Sequence, residues 1–214
     1  TLIPDTFIIT GEEKDGKFNQ GYALRHINRQ DIILIDVVEK SSKDAVKRLL
    51  NDGYKIKGIL LTCDGIIKDA YADLKTISED AGGAPIFAHP RNNFKDPFKT
   101  KDITAKETLL KNFGLKVFDL PGNGGASVIV HSDWNDGMLF PGDDAEGSAY
   151  DSDLNTFKRP EMSHKNDDYG LAESWSAFKE PFAYLFPRKG KPAFNLEEGA
   201  QIDIISALSR STSS

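Results

Sequence analysis

The sequence predicts an α/β protein of the four-layer αββα sandwich class, in which two mixed β-sheets pack together and helices flank them. Near-continuous β-branched runs such as residues 31–38, "DIILIDVV", are typical of strands buried on both faces. Helical patterns alternate with strands in the first half of the chain. Short strands then dominate until a closing helix–strand–helix. This order of elements fits two packed sheets with helices outside them.

The individual elements are separated by polar and glycine-containing segments. We interpret the charged segment 11–20 as the turn between the first two strands. Gly53 ends the first helix and Gly82 ends the second. Asn195, with Glu198 three residues later, resembles a capping box and predicts the start of the last helix. The predicted strands cover 7–10, 21–27, 31–38, 57–62, 85–88, 115–120, 127–131, 138–140 and 183–186, and the predicted helices begin near residues 42, 70, 171 and 195.

Length and composition indicate one ordinary globular domain. The chain has 214 residues, of which 39% are hydrophobic and 28% charged. We therefore expect a single domain over 1–214, with an irregular polar excursion at about 145–170. The formal net charge of -6 argues against a nucleic-acid partner, because such proteins usually carry a basic surplus.

The sequence predicts no membrane partner, and it leaves the location of the protein open. The longest apolar runs are far too short to span a bilayer. The chain begins at Thr1 without a charged-then-apolar leader, which favours a cytoplasmic location and leaves earlier removal of a leader open. One cysteine, Cys63, excludes an intrachain disulfide. The oligomeric state is left open.

Five segments occur in an order that is typical of one family. "IILIDVV" is followed by "GILLTCDGIIKDAYADL", "FDLPGNGGASVIV" and "GMLFPGDDAEG", and a weaker match is "AYLFPRKGKPAF". Together they resemble the strand, metal-loop and turn landmarks of the metallo-β-lactamase fold hydrolases and extend over most of the chain. The resemblance implies the same αββα sandwich and a cleft where that family binds two metal ions, usually zinc.

The resemblance also implies where the metal ligands would lie. Position by position, the family's histidines and aspartates fall mainly on residues of other types, and only Asp143 retains the family's residue. Zinc needs imidazole, thiolate or carboxylate ligands that converge on one point. We therefore expect a degenerate site with no metal cofactor. In chain order the cleft positions are Cys63, Gly65, Ile67, Lys68, Asn123, Asp143 and Lys189.

These replacements predict a pseudoenzyme: a non-hydrolytic protein that binds a small anionic ligand or a protein partner. Lys68 or Lys189 is expected to supply a positive charge opposite Asp143, because a carboxylate in a cleft needs a counter-charge. A hydrolase remains the alternative, with a single metal on Cys63 and Asp143, or metal-free chemistry by Cys63 or Lys68. A purely structural role in a complex is a third possibility.

The histidines and several further acidic residues are the remaining candidates for a functional role. The histidines form no HxH, HxxH or HExxH pair, so structural or surface roles are expected for them. A rebuilt site could instead use Asp64, Asp69, Asp144 or one of the histidines, and the 145–170 excursion, which contains Glu161, His164, Asp167 and Asp168, is the favoured source of such replacements. The four histidines are His26, His89, His131 and His164.

Overall fold

The computed structural model describes residues 5–63, 71–92, 99–162 and 165–210. The expected positions Gly65, Ile67 and Lys68, together with Asp64, Asp69 and His164, lie outside these ranges. The strands are β1 Thr6–Lys14, β2 Lys17–Arg25, β3 Asp31–Ile35, β4 Lys55–Leu60, β5 Ile86–Ala88, β6 Lys101–Asp102, β7 Leu115–Asp119, β8 Val128–Ser132, β9 Met138–Gly142, β10 Glu146–Gly147, β11 Phe157–Lys158 and β12 Tyr184–Pro187. The α-helices are α1 Lys43–Asn51, α2 Tyr71–Asp80, α3 Thr108–Asn112, α4 Lys165–Ala177 and α5 Glu198–Ser209.

Both large sheets are mixed, as the sequence predicts. The first sheet has the order β1-β2-β3-β4-β5-β6. Neighbouring strands are antiparallel from β1 to β3 and parallel from β3 to β6. The second has the order β12-β9-β8-β7, in which β12 and β9 are parallel and the other pairs antiparallel. Strands β10 and β11 form a small separate pair.

Alternating side chains divide the interior into three apolar layers. In β3, Ile32 and Leu34 pack toward α1 and α2, whereas Ile33 and Ile35 pack between the two sheets. On the outer face of the second sheet, Trp175 of α4 lies in a third layer with side chains of α5. Successive residues of a strand face opposite sides, so one buried strand supplies two layers. The predicted αββα sandwich is confirmed.

The first hairpin differs from its prediction. Residues 11–20 are not a turn, because β1 continues to Lys14 and β2 resumes at Lys17, with a bulge between Thr10 and Glu13. The turn itself is Asp15–Gly16, with φ of 55° and 72°. Two positive φ values match the right-handed twist of paired strands, and Asp-Gly is a preferred sequence for such turns.

Two further boundaries differ for a local backbone reason. Strand β3 ends at Ile35 rather than Val38, where Asp36 adopts a φ of 54°. Helix α5 is preceded by Glu197 as its N-cap and not by the predicted Asn195, which has a φ of 52° and accepts a hydrogen bond from the Tyr184 hydroxyl. A left-handed residue interrupts either kind of regular element.

The segment 145–170 is more regular than predicted. It contains β10 and β11 and the first six residues of α4. In the described ranges, every helix falls short of the length and apolar character that crossing a membrane requires.

Candidate functional site

A polar cleft lies where parallel strands of both sheets end. Strands β3 and β4 end beside each other in the first sheet, and β9 and β12 end beside each other in the second. The carboxyl ends of parallel strands meet at one edge, so the residues that follow them converge. Those residues include Asp36 after β3, Cys63 after β4, Asp143 after β9 and Arg188 after β12.

Thr62 joins the two sheets at this edge. Its amide and hydroxyl donate to the Asp36 carboxylate at 2.9 and 2.8 Å. Its carbonyl accepts the Val128 amide of the second sheet at 2.9 Å. A Cβ on Gly142 would lie 2.0 Å from the Thr62 hydroxyl, and Gly142 has a φ of 58°. Only glycine therefore allows β9 to approach β4 this closely.

Asp143 is paired with an arginine. Arg188 Nη1 donates to both Asp143 oxygens, at 3.1 and 3.2 Å, and the two side chains are 13% and 22% exposed. Burial alone would lower the pKa of Arg188, but the charges of Asp143 and Asp36 outweigh it and raise that pKa. The prediction that Lys189 pairs with Asp143 is wrong. Among the described residues, Arg188 forms the ion pair with Asp143. Lys68 lies outside those residues.

A second aspartate is fully buried beside the first. Asp144 accepts hydrogen bonds from Asn123 at 2.6 Å and from Ser127 at 2.5 Å. Burial raises its pKa to about 7, against the lowering effect of these two donors. Asp36 responds in the same way: burial raises its pKa to about 6, and the Thr62 hydrogen bonds and Arg188 oppose the rise. Asp36 and Asp143 thus share the charge of one guanidinium, whereas Asp144 is stabilised by Asn123 and Ser127.

Cys63 belongs to the same cluster. Its thiol donates to Asp143 Oδ2 at 3.3 Å and is buried. Burial raises the pKa of the thiol well above its ordinary value, and the neighbouring carboxylates add to that rise. A protonated thiol is a weak nucleophile and a weak metal ligand. The arrangement suits a packed hydrogen-bond donor better than an activated cysteine.

The cleft has a volume of about 190 Å³. Glu146 on its wall is paired with Lys17, while Lys189 and Glu161 make no ion pair with any described residue. Among the described lining residues, Cys63 and Asp143 are the groups whose type could bind a metal at the former ligand positions. The described lining residues are Cys63, Asn123, Asp143, Ala145, Glu146, Pro160, Glu161, Met162 and Lys189.

The structure brings together all the expected site residues that it describes. Cys63, Asn123, Asp143 and Lys189 line one cleft, and Glu161 from the 145–170 segment joins them. The positions 65, 67 and 68 lie outside the described ranges. Of the described histidines, none is among the residues lining the cleft.

Arg188 is the principal residue that sequence reasoning missed. A usable signal was present in β12, where Leu185 packs outward and Phe186 packs between the sheets. Two residues beyond Phe186, the side chain points to the same face again. That residue is Arg188, whereas Lys189 is exposed. The period-2 pattern therefore selects Arg188 over its neighbour as the inward-facing cation.

Solved structures establish the fold class, although no sequence family and no curated protein matches the chain. The DIM-1 metallo-β-lactamase is 18% identical with a TM-score of 0.67, covering 96% of this chain and 92% of its own. The BLEG-1 B3 metallo-β-lactamase is 15% identical with a TM-score of 0.67, covering 92% and 96%. ETHE1 from Myxococcus xanthus is 14% identical with a TM-score of 0.58, covering 86% and 76%. The chain therefore has the metallo-β-lactamase fold.

Proposed function

We propose that this protein uses its cleft to bind a small anionic ligand and does not carry out metal-dependent hydrolysis. One observation carries the proposal: both oxygens of Asp143 accept from Arg188 at 3.1 and 3.2 Å. Asp143 is the position at which the related hydrolases are expected to place a metal-bridging carboxylate. A guanidinium in contact with that carboxylate supplies the positive charge internally.

The side chains at the former metal-ligand positions also support a cleft without metal-dependent hydrolysis. Gly65 and Ile67 have no side-chain metal ligand, and Lys68 is cationic. Asn123 directs its amide nitrogen to Asp144 at 2.6 Å. At the former ligand positions, the remaining donors are one protonated thiol and one paired carboxylate. These two groups do not fit a pair of zinc ions. Without such ions, none of the described groups at the cleft lowers the pKa of a water toward neutrality, which metal-dependent hydrolysis requires.

The proposed ligand follows from the size and charge of the cleft. A volume of about 190 Å³ corresponds to roughly six water molecules of liquid volume, so the cleft suits a small molecule better than a protein segment. Lys189 and Glu161 both line this space without an ion pair to any described residue, whereas Asp143 and Glu146 are already paired. Among the described lining residues, Lys189 is therefore the unpaired positive charge that an anion can contact. We infer that Lys189 contacts the anionic group, while Pro160 and Met162 supply apolar contact.

Ligand binding should depend on Lys189. We expect Lys189→Gln to weaken binding of inorganic phosphate or succinate about tenfold, since one charge-assisted hydrogen bond is worth about 1.5 kcal/mol or more. Isothermal titration calorimetry on the full chain measures the change. Lys47→Gln, the same substitution at an exposed position of α1, is the control and should bind as the wild type does. Binding of neither probe, or equal binding by all three proteins, would argue against the proposal.

The alternative, a hydrolase with an altered site, makes a different prediction. The neighbours named above include two metallo-β-lactamases, so β-lactam turnover is the activity to assay. Because the donor set does not fit a pair of zinc ions, we expect no turnover by this chain with or without added Zn²⁺. The assay is paired with elemental analysis of wild type, Cys63→Ser and Asp143→Asn. Zinc-dependent turnover that both substitutions abolish would establish the hydrolase instead. Metal retained by both variants would lie elsewhere in the chain and leave the cleft proposal standing.

A further inference from the structure

A histidine with a free ring nitrogen lies at the opposite end of β8 from the cleft. His131 is fully buried, and its Nε2 lies 2.8 Å from the Pro181 carbonyl. A carbonyl oxygen only accepts, so Nε2 carries the hydrogen and Nδ1 of the neutral ring presents a lone pair. That buried Nδ1 has no hydrogen-bond partner among the residues that the structure describes. An unpartnered buried acceptor of this kind is rare and calls for a ligand.

Two carboxylates lie beside the imidazole of His131. Asp133 Oδ1 lies 3.6 Å from His131 Nδ1, beyond hydrogen-bond distance. One ligand atom from each of His131, Asp133 and Glu180 lies within 4.8 Å of the other two. The Nδ1 lone pair and the Asp133 carboxylate repel each other unless a cation or a proton lies between them. The three groups therefore surround a position that favours positive charge.

The segment that holds the histidine also supplies a ligand. Glu180 immediately precedes Pro181, whose carbonyl fixes the ring of His131. Histidines that bind metals generally donate their other ring nitrogen to a carbonyl or carboxylate, which sets the tautomer and the orientation. His131 has this arrangement already. Glu180 also lines a groove of about 610 Å³ beside α5, which gives ions in solution access to the cluster.

A lysine now occupies part of this position. Lys116 lies opposite His131 in the β7–β8 pairing, and its ammonium is 3.1 Å from Asp133 and 3.6 Å from Glu180. Its side chain is 47% exposed, so it can turn into solvent when another cation enters. Lys116 and a bound metal would therefore compete for the same two carboxylates.

We propose that His131, Asp133 and Glu180 bind a divalent transition-metal ion, with Lys116 as an internal competitor. One imidazole and two carboxylates suit Zn²⁺, which accepts nitrogen and oxygen ligands in a four-coordinate site and would complete it with water. The site lies at the end of the second sheet away from the cleft and does not depend on the function proposed for the cleft.

Calorimetric titration of Zn²⁺ into the metal-stripped full chain tests the proposal. We expect one site, weakened at least about tenfold by either Asp133→Asn or Glu180→Gln, since each removes a charged ligand. Lys116→Gln should tighten binding about tenfold, because it removes the competing charge. A purely structural role for these residues predicts no such gain in affinity.

The matched control is Glu198→Gln, which makes the same change on the wall of the groove but outside the cluster. It should leave Zn²⁺ affinity unchanged, and so should Cys63→Ser in the cleft. The proposal fails if neither wild type nor Lys116→Gln binds Zn²⁺. It fails equally if Zn²⁺ binds but both carboxylate substitutions leave the affinity as it was.

Discussion

Substituting methionine for Arg188 should lower the free energy of unfolding by about 3 kcal/mol, because it leaves buried carboxylate charge without its counter-ion. Arg188 contacts both oxygens of Asp143, and its charge also acts on Asp36. The value belongs at the lower end of the range for broken buried pairs, since the Asp143 side chain is 22% exposed and can gain water. Urea unfolding followed by tryptophan fluorescence measures the loss.

A second substitution separates the charge effect from lost packing. In Arg188→Met/Asp143→Asn the unpaired carboxylate is gone, so we expect about half or more of the lost stability to return. Arg29→Met is the matched control: its ion pair with Asp31 is 51% exposed on the arginine side, and its loss should cost under about 1 kcal/mol. Equal losses for Arg188→Met and Arg29→Met would mean that Asp143 has another counter-charge.

The fold could be predicted because its determinants are local. Buried strands such as β3 consist of consecutive β-branched and leucine side chains, and each supplies two apolar layers. Glycines mark the ends of the early helices in the sequence itself. By contrast, β6, β10 and β11 have two residues each and give no periodic pattern to detect. Their pairing depends on contacts made only in the folded chain.

The position of the cleft was predictable from the sequence, but the residue that neutralises Asp143 was not. The ordered landmarks locate the ends of β4 and β9, so Cys63 and Asp143 were expected in one cleft and lie 3.3 Å apart. Which of two adjacent cations faces Asp143 depends on the side-chain alternation of β12, which favours Arg188. The His131 cluster has no local motif, because Glu180 lies 49 residues after His131 in the chain.

Two buried aspartates beside Asp143 make the stability of the fold depend on pH. Asp36 and Asp144 are buried, and each accepts hydrogen bonds from two donor groups. Asp36, Asp143 and Asp144 lie close enough for their charges to repel one another, and the Arg188 charge acts on Asp143 and Asp36. In such a cluster, protonation relieves both desolvation and like-charge repulsion. The cleft therefore links its electrostatics to the pH dependence of the whole fold.

Stability should fall as pH rises from about 4 to about 8. Burial raises the pKa of Asp144 from 3.8 to about 7 and that of Asp36 from 3.8 to about 6. Between its unfolded and folded pKa, each carboxyl binds more protons in the folded protein than in the unfolded chain. Raising the pH therefore favours unfolding, and the decline levels off above the folded values. For Asp144 alone, a shift of about three pKa units corresponds to roughly 4 kcal/mol.

Replacing Asp144 with asparagine should flatten this decline and make the variant more stable than wild type at pH 8. We expect a gain of about 2 kcal/mol, roughly half of the value for the charge alone, because the hydrogen bonds with Asn123 and Ser127 become neutral and weaker. The amide oxygen still accepts from Asn123, and the new amide nitrogen donates to the Ser127 hydroxyl, so the hydrogen bonds survive while the charge does not. Asp52→Asn, the same change at an exposed position after α1, should reproduce the wild-type pH dependence. Urea unfolding from pH 4.5 to 8.5 compares the three proteins. Parallel curves for wild type and Asp144→Asn would mean that Asp144 titrates alike in the folded and unfolded states, and that the buried cluster holds its charge without cost to the fold.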